Sequence, residues 1–160
     1  MIAANDESVS PSQNIDEPRL FTIEQVSAQT GLTKRTLRYY EEVGLLPPTD
    51  RTEGNYRRYT ETDLKRLDNI KKLRDLLGFS LADIREIMEA EDERGQIKVA
   101  YKNETEAVAK IVQLDRADEL IRRQLQLIEQ KLSGLEEMRT SLQATLERHK
   151  HAREALSNDK

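Results

Sequence analysis

The sequence predicts a mainly α-helical protein, a small helix-turn-helix domain with a winged hairpin followed by one long coiled-coil helix. Three observations carry that prediction. Caps and apolar stripes agree at four places between residues 20 and 90. Only Gly31, Leu32 and Thr33 separate the first two of those helices, a turn tight enough for a helix-turn-helix. From residue 111 to 156 there is no proline and a single glycine, Gly134, while leucine and isoleucine recur on a heptad.

Residues 1–19 are polar and acidic with no apolar run, which predicts a disordered tail. Thr22 followed by Gln25 is a capping box, Ile23 and Val26 begin the stripe, and Gly31 stands where a C′ glycine ends a helix. Thr33 is an N-cap for Lys34 to Val43, with Leu37 and Tyr40 on the core side. Gly44 ends that helix and Pro47-Pro48 prevents continuation. Between Asp50 and Tyr59, Gly54 supplies a turn and the residues after it favour a strand, so a small hairpin is expected. Thr60 with Asp63 opens a third helix, striped by Leu64, Leu67, Ile70, Leu73 and Leu77 and closed by Gly78. Ser80 with Asp83 opens a fourth through Leu81, Ile84, Ile87 and Met88. Residues 20–90 therefore form one expected domain.

The acidic run Glu91 to Gly95 reads as a break, and 91–103 as a linker in which Ile97, Val99 and Tyr101 alternate. Those three side chains either dock the linker on the head or line a small effector pocket. Asn103 with Glu106 offers a cap for a helix over 104–157. A heptad frame places Ile111, Leu125, Leu132 and Leu146 at a, and Leu114, Ile121, Ile128, Leu135, Leu142 and Leu156 at d. Asp118, Arg139, His149 and Arg153 interrupt the seam. A helix of this length runs roughly 70 Å and cannot bury its stripe within so small a chain, so it is expected to pair with a second copy. Leu120 and Leu127 fall at c and widen the apolar face, which predicts that the first half packs on a further surface such as the head.

Composition narrows the function classes. With no cysteine there is no disulfide framework, thiolate metal site, iron–sulfur cluster or cysteine nucleophile. The two histidines, His149 and His151, sit together near the C-terminus, which argues against a histidine-based metal site or triad. No glycine-rich phosphate loop or nucleophile–base constellation appears, so neither an enzyme nor a bound cofactor or metal is expected. No apolar run approaches the roughly 20 residues of a spanning helix, so no membrane partner is expected and the chain is placed in the cytoplasm.

The net charge of −4 conceals its distribution. Residues 21–80 hold 11 basic and 9 acidic residues, whereas 81–110 hold 5 and 8, and 111–160 hold 9 of each. The basic excess is small, so placement must carry the argument for a nucleic-acid partner. Lys34, Arg35 and Arg38 lie on the early turns of the second helix, opposite Leu37 and Tyr40, where a recognition helix reads base edges. An ordinary solvated helix face would carry the same charges. The hairpin tips the balance, because Arg57 and Arg58, flanked by Tyr56 and Tyr59, suit a grip on phosphates beside that helix. Lys65, Arg66, Lys71, Lys72 and Arg74 are expected to extend the basic surface.

The segments Phe21 to Val26 (FTIEQV), Gly31 to Leu46 (GLTKRTLRYYEEVGLL), Asn55 to Tyr59 (NYRRY) and Leu77 to Ile84 (LGFSLADI) together closely resemble the MerR family of bacterial transcription regulators. The resemblance spans about residues 20–90, and the long C-terminal helix is similar in kind to that family's dimerisation helix. It implies a winged-helix homodimer, joined by an antiparallel coiled coil, on pseudo-palindromic promoter DNA in the bacterial nucleoid. It further implies that Arg38, Tyr39, Tyr56, Arg57 and Arg58 contact DNA, that Thr33, Lys34 and Arg35 face the groove, and that Lys71 and Lys72 belong to a second winged element. In the implied mechanism the dimer bends and untwists a promoter with over-long spacing so that RNA polymerase engages both elements, a distortion repaid by backbone contacts. The absence of cysteine removes thiolate sensing of metals or oxidants, and the sequence names no small-molecule effector. The competing reading is an architectural protein that shapes or bridges the chromosome with the same head and helix; weak sequence discrimination would mark it.

Overall fold

The computed structural model describes residues 19–158, so the expected N-terminal tail lies outside the described residues apart from Arg19. The chain divides into two compact units, Met1–Gly78 and Phe79–Lys160.

In the first unit β1 (Phe21–Thr22) leads directly into α1 (Ile23–Thr30), and α2 (Lys34–Glu42) follows the three-residue turn. A hairpin of β2 (Asp50–Arg51) and β3 (Arg57–Tyr59) precedes α3 (Glu61–Lys71). The strands form one antiparallel sheet in the order β1-β3-β2, with Phe21 opposite Tyr59, Thr22 and Asp50 opposite Arg58, and Arg51 opposite Arg57. The short strand β1 has no periodic signal in the sequence; it exists because β3 supplies its pairing partner. Leu37, Tyr40, Leu45, Leu46, Tyr59, Leu67 and Ile70 are almost completely buried and make the core. The stripes of α2 and α3 supply most of it, as an amphipathic pattern requires.

The capping expectations hold in detail. Thr22 with Gln25 and Thr60 with Asp63 form reciprocal capping boxes, and Thr33 Oγ1 accepts from the Thr36 backbone N–H at 3.1 Å. Gly31, Gly44 and Gly78 adopt φ of 72°, 75° and 66°, so each helix stops where a residue without Cβ permits the left-handed turn. The third stripe needs one correction. After Lys71 the helix widens into a π-helical turn over Lys72–Leu76, which shifts the phase of the 3.6-residue stripe. Leu77 is consequently half exposed, and Leu76 is 79% exposed.

In the second unit Ser80 and Asp83 cap α4 (Leu81–Asn103), and α5 runs from Ala107 to Asn158. The acidic run Glu91 to Gly95 is uninterrupted helix, which corrects its reading as a break. The expected Asn103 cap is also corrected: Asn103 is the last residue of α4, and in the connection to α5 the Glu104 carboxylate accepts from the N–H groups of Thr105 and Glu106 at 2.8 and 2.9 Å. The two helices form an antiparallel hairpin. Lys110 lies over the Tyr101 ring, Arg116 pairs with Glu93, Gln124 donates to the Ile87 carbonyl, and Lys131 reaches the Phe79 ring. Leu120 is buried and Leu127 partly so, consistent with the c positions facing a further surface; α4 is one such surface. The seam residues are exposed throughout, from 36% at Ile121 to 74% at Leu156. Among the described residues no helix is long and apolar enough to cross a membrane.

Candidate nucleic-acid interface

The geometry of the turn between α1 and α2 is set by short polar residues. Thr30 Oγ1 donates to the Val26 carbonyl at 2.8 Å and accepts from the Leu32 N–H at 3.3 Å, while Ser27 Oγ donates to the Leu32 carbonyl at 2.6 Å. Leu32 itself is buried, so both bonds and packing hold the angle between the helices. The Thr33 hydroxyl is committed to the cap of α2, which fixes where the recognition helix starts.

Beyond that cap, Arg35 and Arg38 are exposed and make no side-chain hydrogen bond or ion pair among the described residues. Lys34 is also exposed, but its Nζ lies 2.7 Å from a carboxylate oxygen of Glu24 on α1. That ammonium holds the Glu24 carboxyl below the usual carboxylate range. Both partners are well solvated, so the pair is weak and a phosphate would compete for the lysine. Tyr39 is 45% exposed beside Arg38.

The hairpin places its own charges next to these. The Thr52 N–H donates to the Tyr56 carbonyl at 3.0 Å and the Asn55 N–H to the Thr52 carbonyl at 2.7 Å, closing a tight loop. The residue in left-handed conformation is Asn55 at φ 60°, not Gly54. At Gly54 a Cβ would lie 2.9 Å from the Tyr56 ring, so a larger residue there would turn that exposed side chain aside. Tyr56 stands 72% exposed at the tip, and Arg51 braces the loop by donating to the Asn55 side chain at 2.8 Å. Arg57 and Arg58 are half-buried.

Arg38 of α2 and Tyr56, Arg57 and Arg58 of the hairpin line one cleft of about 290 Å³. Its remaining wall is Thr22 to Glu24 and Asn55, so the first turn of α1 faces the same space. Three guanidinium groups and a helix N-terminus around one concavity suit a phosphate, which takes both bidentate arginine and free backbone N–H groups. The first turn of α1 is a contribution the sequence reading missed, although its capping box marked the helix start.

Lys71 and Lys72 do not line this cleft. Lys71 Nζ donates to the Thr30 carbonyl at the end of α1, whereas Lys72 is exposed beside the π-helical turn. Two further members of the expected basic surface also turn inward. Arg66 Nε donates to the Leu45 carbonyl at 2.6 Å, and Arg74 binds the Tyr40 hydroxyl and Asp75. The reason is common to Lys71 and Arg66: carbonyls at the end of one helix or in the turn after it need donors, and cations on α3 supply them. Tyr40 is buried, which pushes its phenol above the ordinary value and keeps it neutral. The residue missed altogether is Glu41, half-buried, whose carboxylate accepts from Arg57 Nε at 2.8 Å and from the Tyr59 hydroxyl at 2.7 Å.

A second concavity, of about 520 Å³, lies within the α4–α5 hairpin. Ile97 and Tyr101 line it together with Leu114 and Ile121 of the seam, while Val99 is 62% exposed and does not.

Comparison with known proteins agrees with this geometry. Residues 21–91 match the MerR HTH family regulatory protein family. The chain is 35% identical over 121 residues to the HTH-type transcriptional regulator YfmP of Bacillus subtilis, covering 76% of this chain and 86% of that protein. It is 32% identical over 124 residues to the HTH-type transcriptional regulator ZntR of Escherichia coli, covering 78% and 77%. A solved structure described as a MerR family regulator from Listeria monocytogenes shares the fold, with a TM-score of 0.56 at 22% identity over 86% of this chain and 95% of that one. The relatives are transcription regulators rather than enzymes, and on this evidence the chain belongs to the MerR family of helix-turn-helix transcription regulators.

Proposed function

We propose that this regulator works in the cytoplasm as a homodimer on pseudo-palindromic promoter DNA, with head residues 20–90, a helical connection over 91–103 in place of the expected linker, and a dimerisation helix over 104–157. In this reading α2 enters the major groove through Arg35 and Arg38, with Thr33, Lys34 and Tyr39 beside them, and the hairpin grips the adjacent backbone through Tyr56, Arg57 and Arg58. Lys72, exposed beside the π-helical turn, adds a peripheral phosphate contact. The observation that carries the proposal is the cleft in which groove-facing Arg38 and hairpin Arg57 and Arg58 converge. Pairing of two such heads through the seam of α5 doubles the site and imposes its dyad. The bound dimer bends and untwists the promoter, acting on RNA polymerase through DNA shape.

Footprinting on the DNA upstream of the protein's own gene tests this, with and without Arg38→Ala. The expected result is a dyad protected by the native protein and lost in the variant. Uniform protection regardless of sequence would replace the promoter reading with the architectural one.

A further inference from the structure

We infer that Glu41 is a positioning residue for DNA binding, which registers the hairpin on the recognition helix and orients Arg57 toward the backbone; the inference rests on the DNA-binding reading above. The starting point is a local rule that the sequence breaks. Glu41 and Glu42 occupy the last turn of α2, and that turn contains no basic residue. A carboxylate there meets the negative end of the helix dipole, an unfavourable placement. Departures from local rules are expected where a function compensates them.

The compensation comes from β3. Residues two apart on a strand share a face, and here Arg57 and Tyr59 both turn toward the end of α2. The single Glu41 carboxylate accepts from each, one oxygen per donor. Its side chain is only 12% exposed and that of Arg57 25%, so solvent screens the pair far less than the Lys34–Glu24 pair. Consistent with this, the hydrogen bond to Glu41 raises the pKa of Arg57, while burial first and the Glu41 hydrogen bond second raise that of Tyr59 and keep it protonated. Tyr59 is fully buried and pairs with Phe21 across the sheet, so the carboxylate is anchored to the core as well as to the hairpin.

The geometry also divides the guanidinium. Nε goes to Glu41, which leaves the two Nη groups of Arg57 for a phosphate in the cleft. Arg38 lies one turn before Glu41 on α2, so the same helix end fixes the spacing between a base-reading arginine and a phosphate-gripping one. The bound arrangement therefore exists before DNA arrives, and binding has less ordering to accomplish.

The test uses the full-length protein and the duplex protected in the footprint, titrated over a series of salt concentrations. Native protein, Glu41→Gln, Arg57→Ala and the double variant are compared, with Tyr59→Phe and thermal melting as companions. Glu41→Gln keeps the shape but presents an amide to two donors. It should weaken binding on the order of tenfold, the loss expected for one charge-assisted contact, and lower the salt slope by about one phosphate. The double variant should bind no more weakly than Arg57→Ala, because both changes remove the same contact. Tyr59→Phe should lower the melting temperature while leaving the salt slope near native. Tighter binding by Glu41→Gln, an unchanged slope, or additive losses in the double variant would each overturn the assignment. Arg38→Ala separates this from the underlying reading: if it abolishes binding while Glu41→Gln leaves both affinity and salt slope at native values, the positioning role fails and the DNA interface stands.

Discussion

The two halves of α5 have similar sequence character and opposite circumstances. From Ala107 to Lys131 the helix runs beside α4, tied by the Arg116 guanidinium to Glu93 and by Gln124 to the Ile87 carbonyl, with Leu120 buried. Among the described residues from Leu132 onward no side chain is buried, and Leu135, Leu142 and Leu146 are 54 to 64% exposed. Side-chain pairs within that half, such as Arg139 with Glu136 at 2.5 Å, are surface pairs worth a few tenths of a kcal/mol. An isolated helix of such composition is marginal in water. The first half is stabilised within one chain; in the dimer proposed above the second half is covered by a second copy, which would couple helix formation to assembly.

The strongest way to break that contrast is to spoil the exposed stripe. Leu135→Asp with Leu142→Asp should weaken self-association by more than a thousandfold, since the two changes remove four leucines from a homodimer seam, each contributing roughly 2 kcal/mol. Sedimentation equilibrium should then show monomers, and circular dichroism a loss of helix; an unaltered dimer would refute the assigned seam. A core change in the head makes the opposite control. Leu37 is fully buried, and Leu37→Ala should lower head stability by about 3 kcal/mol at every protein concentration, measured by urea denaturation. A smaller effect should follow from Thr22→Ala, which removes the cap of α1 and costs about 1 kcal/mol in the same measurement.

The smallest predicted effect concerns acid. The Arg116 guanidinium holds the Glu93 carboxyl below its ordinary value of 4.5, and backbone N–H groups of Glu106 and Thr105 do the same for Glu104. The unfolded chain therefore takes up these protons first as pH falls. Their stabilisation is complete above about pH 4.5 and is lost as pH drops through the lower folded values. Melting of the α4–α5 hairpin should be flat in this contribution from pH 7 to 5 and decline below that; Glu104→Gln should reduce the decline.

Much of this was legible because caps are local. Thr22 with Gln25, Thr60 with Asp63 and Ser80 with Asp83 each act within four residues, and all three boxes form. Gly31, Gly44 and Gly78 mark the turns for the same reason. What escaped detection depends on distant partners. The acidic run at Glu91 lacks a local stripe, but Glu and Arg are good helix formers, and Glu93 and Arg94 also meet Arg116 and Gln124 of α5. Strand β1 is two residues long and exists only against β3. Arg35 and Arg38 were readable as a charged face, whereas Arg66, Lys71 and Arg74 carry the same charge and turn inward toward a carbonyl or hydroxyl partner that lies 21 to 41 residues away. Composition does not separate the two groups; the position of each side chain relative to a helix end does.

The unaccompanied second half of α5 also bears on how long the protein survives. Local unfolding exposes backbone to proteases, and cleavage follows the population of the open form when opening is fast. A lone chain carries roughly 40 Å of helix with no buried side chain among its described residues, whereas pairing in the proposed dimer would cover it. In the proposed dimer, monomers would then be degraded ahead of dimers, and the lifetime of this regulator would rise with its own abundance.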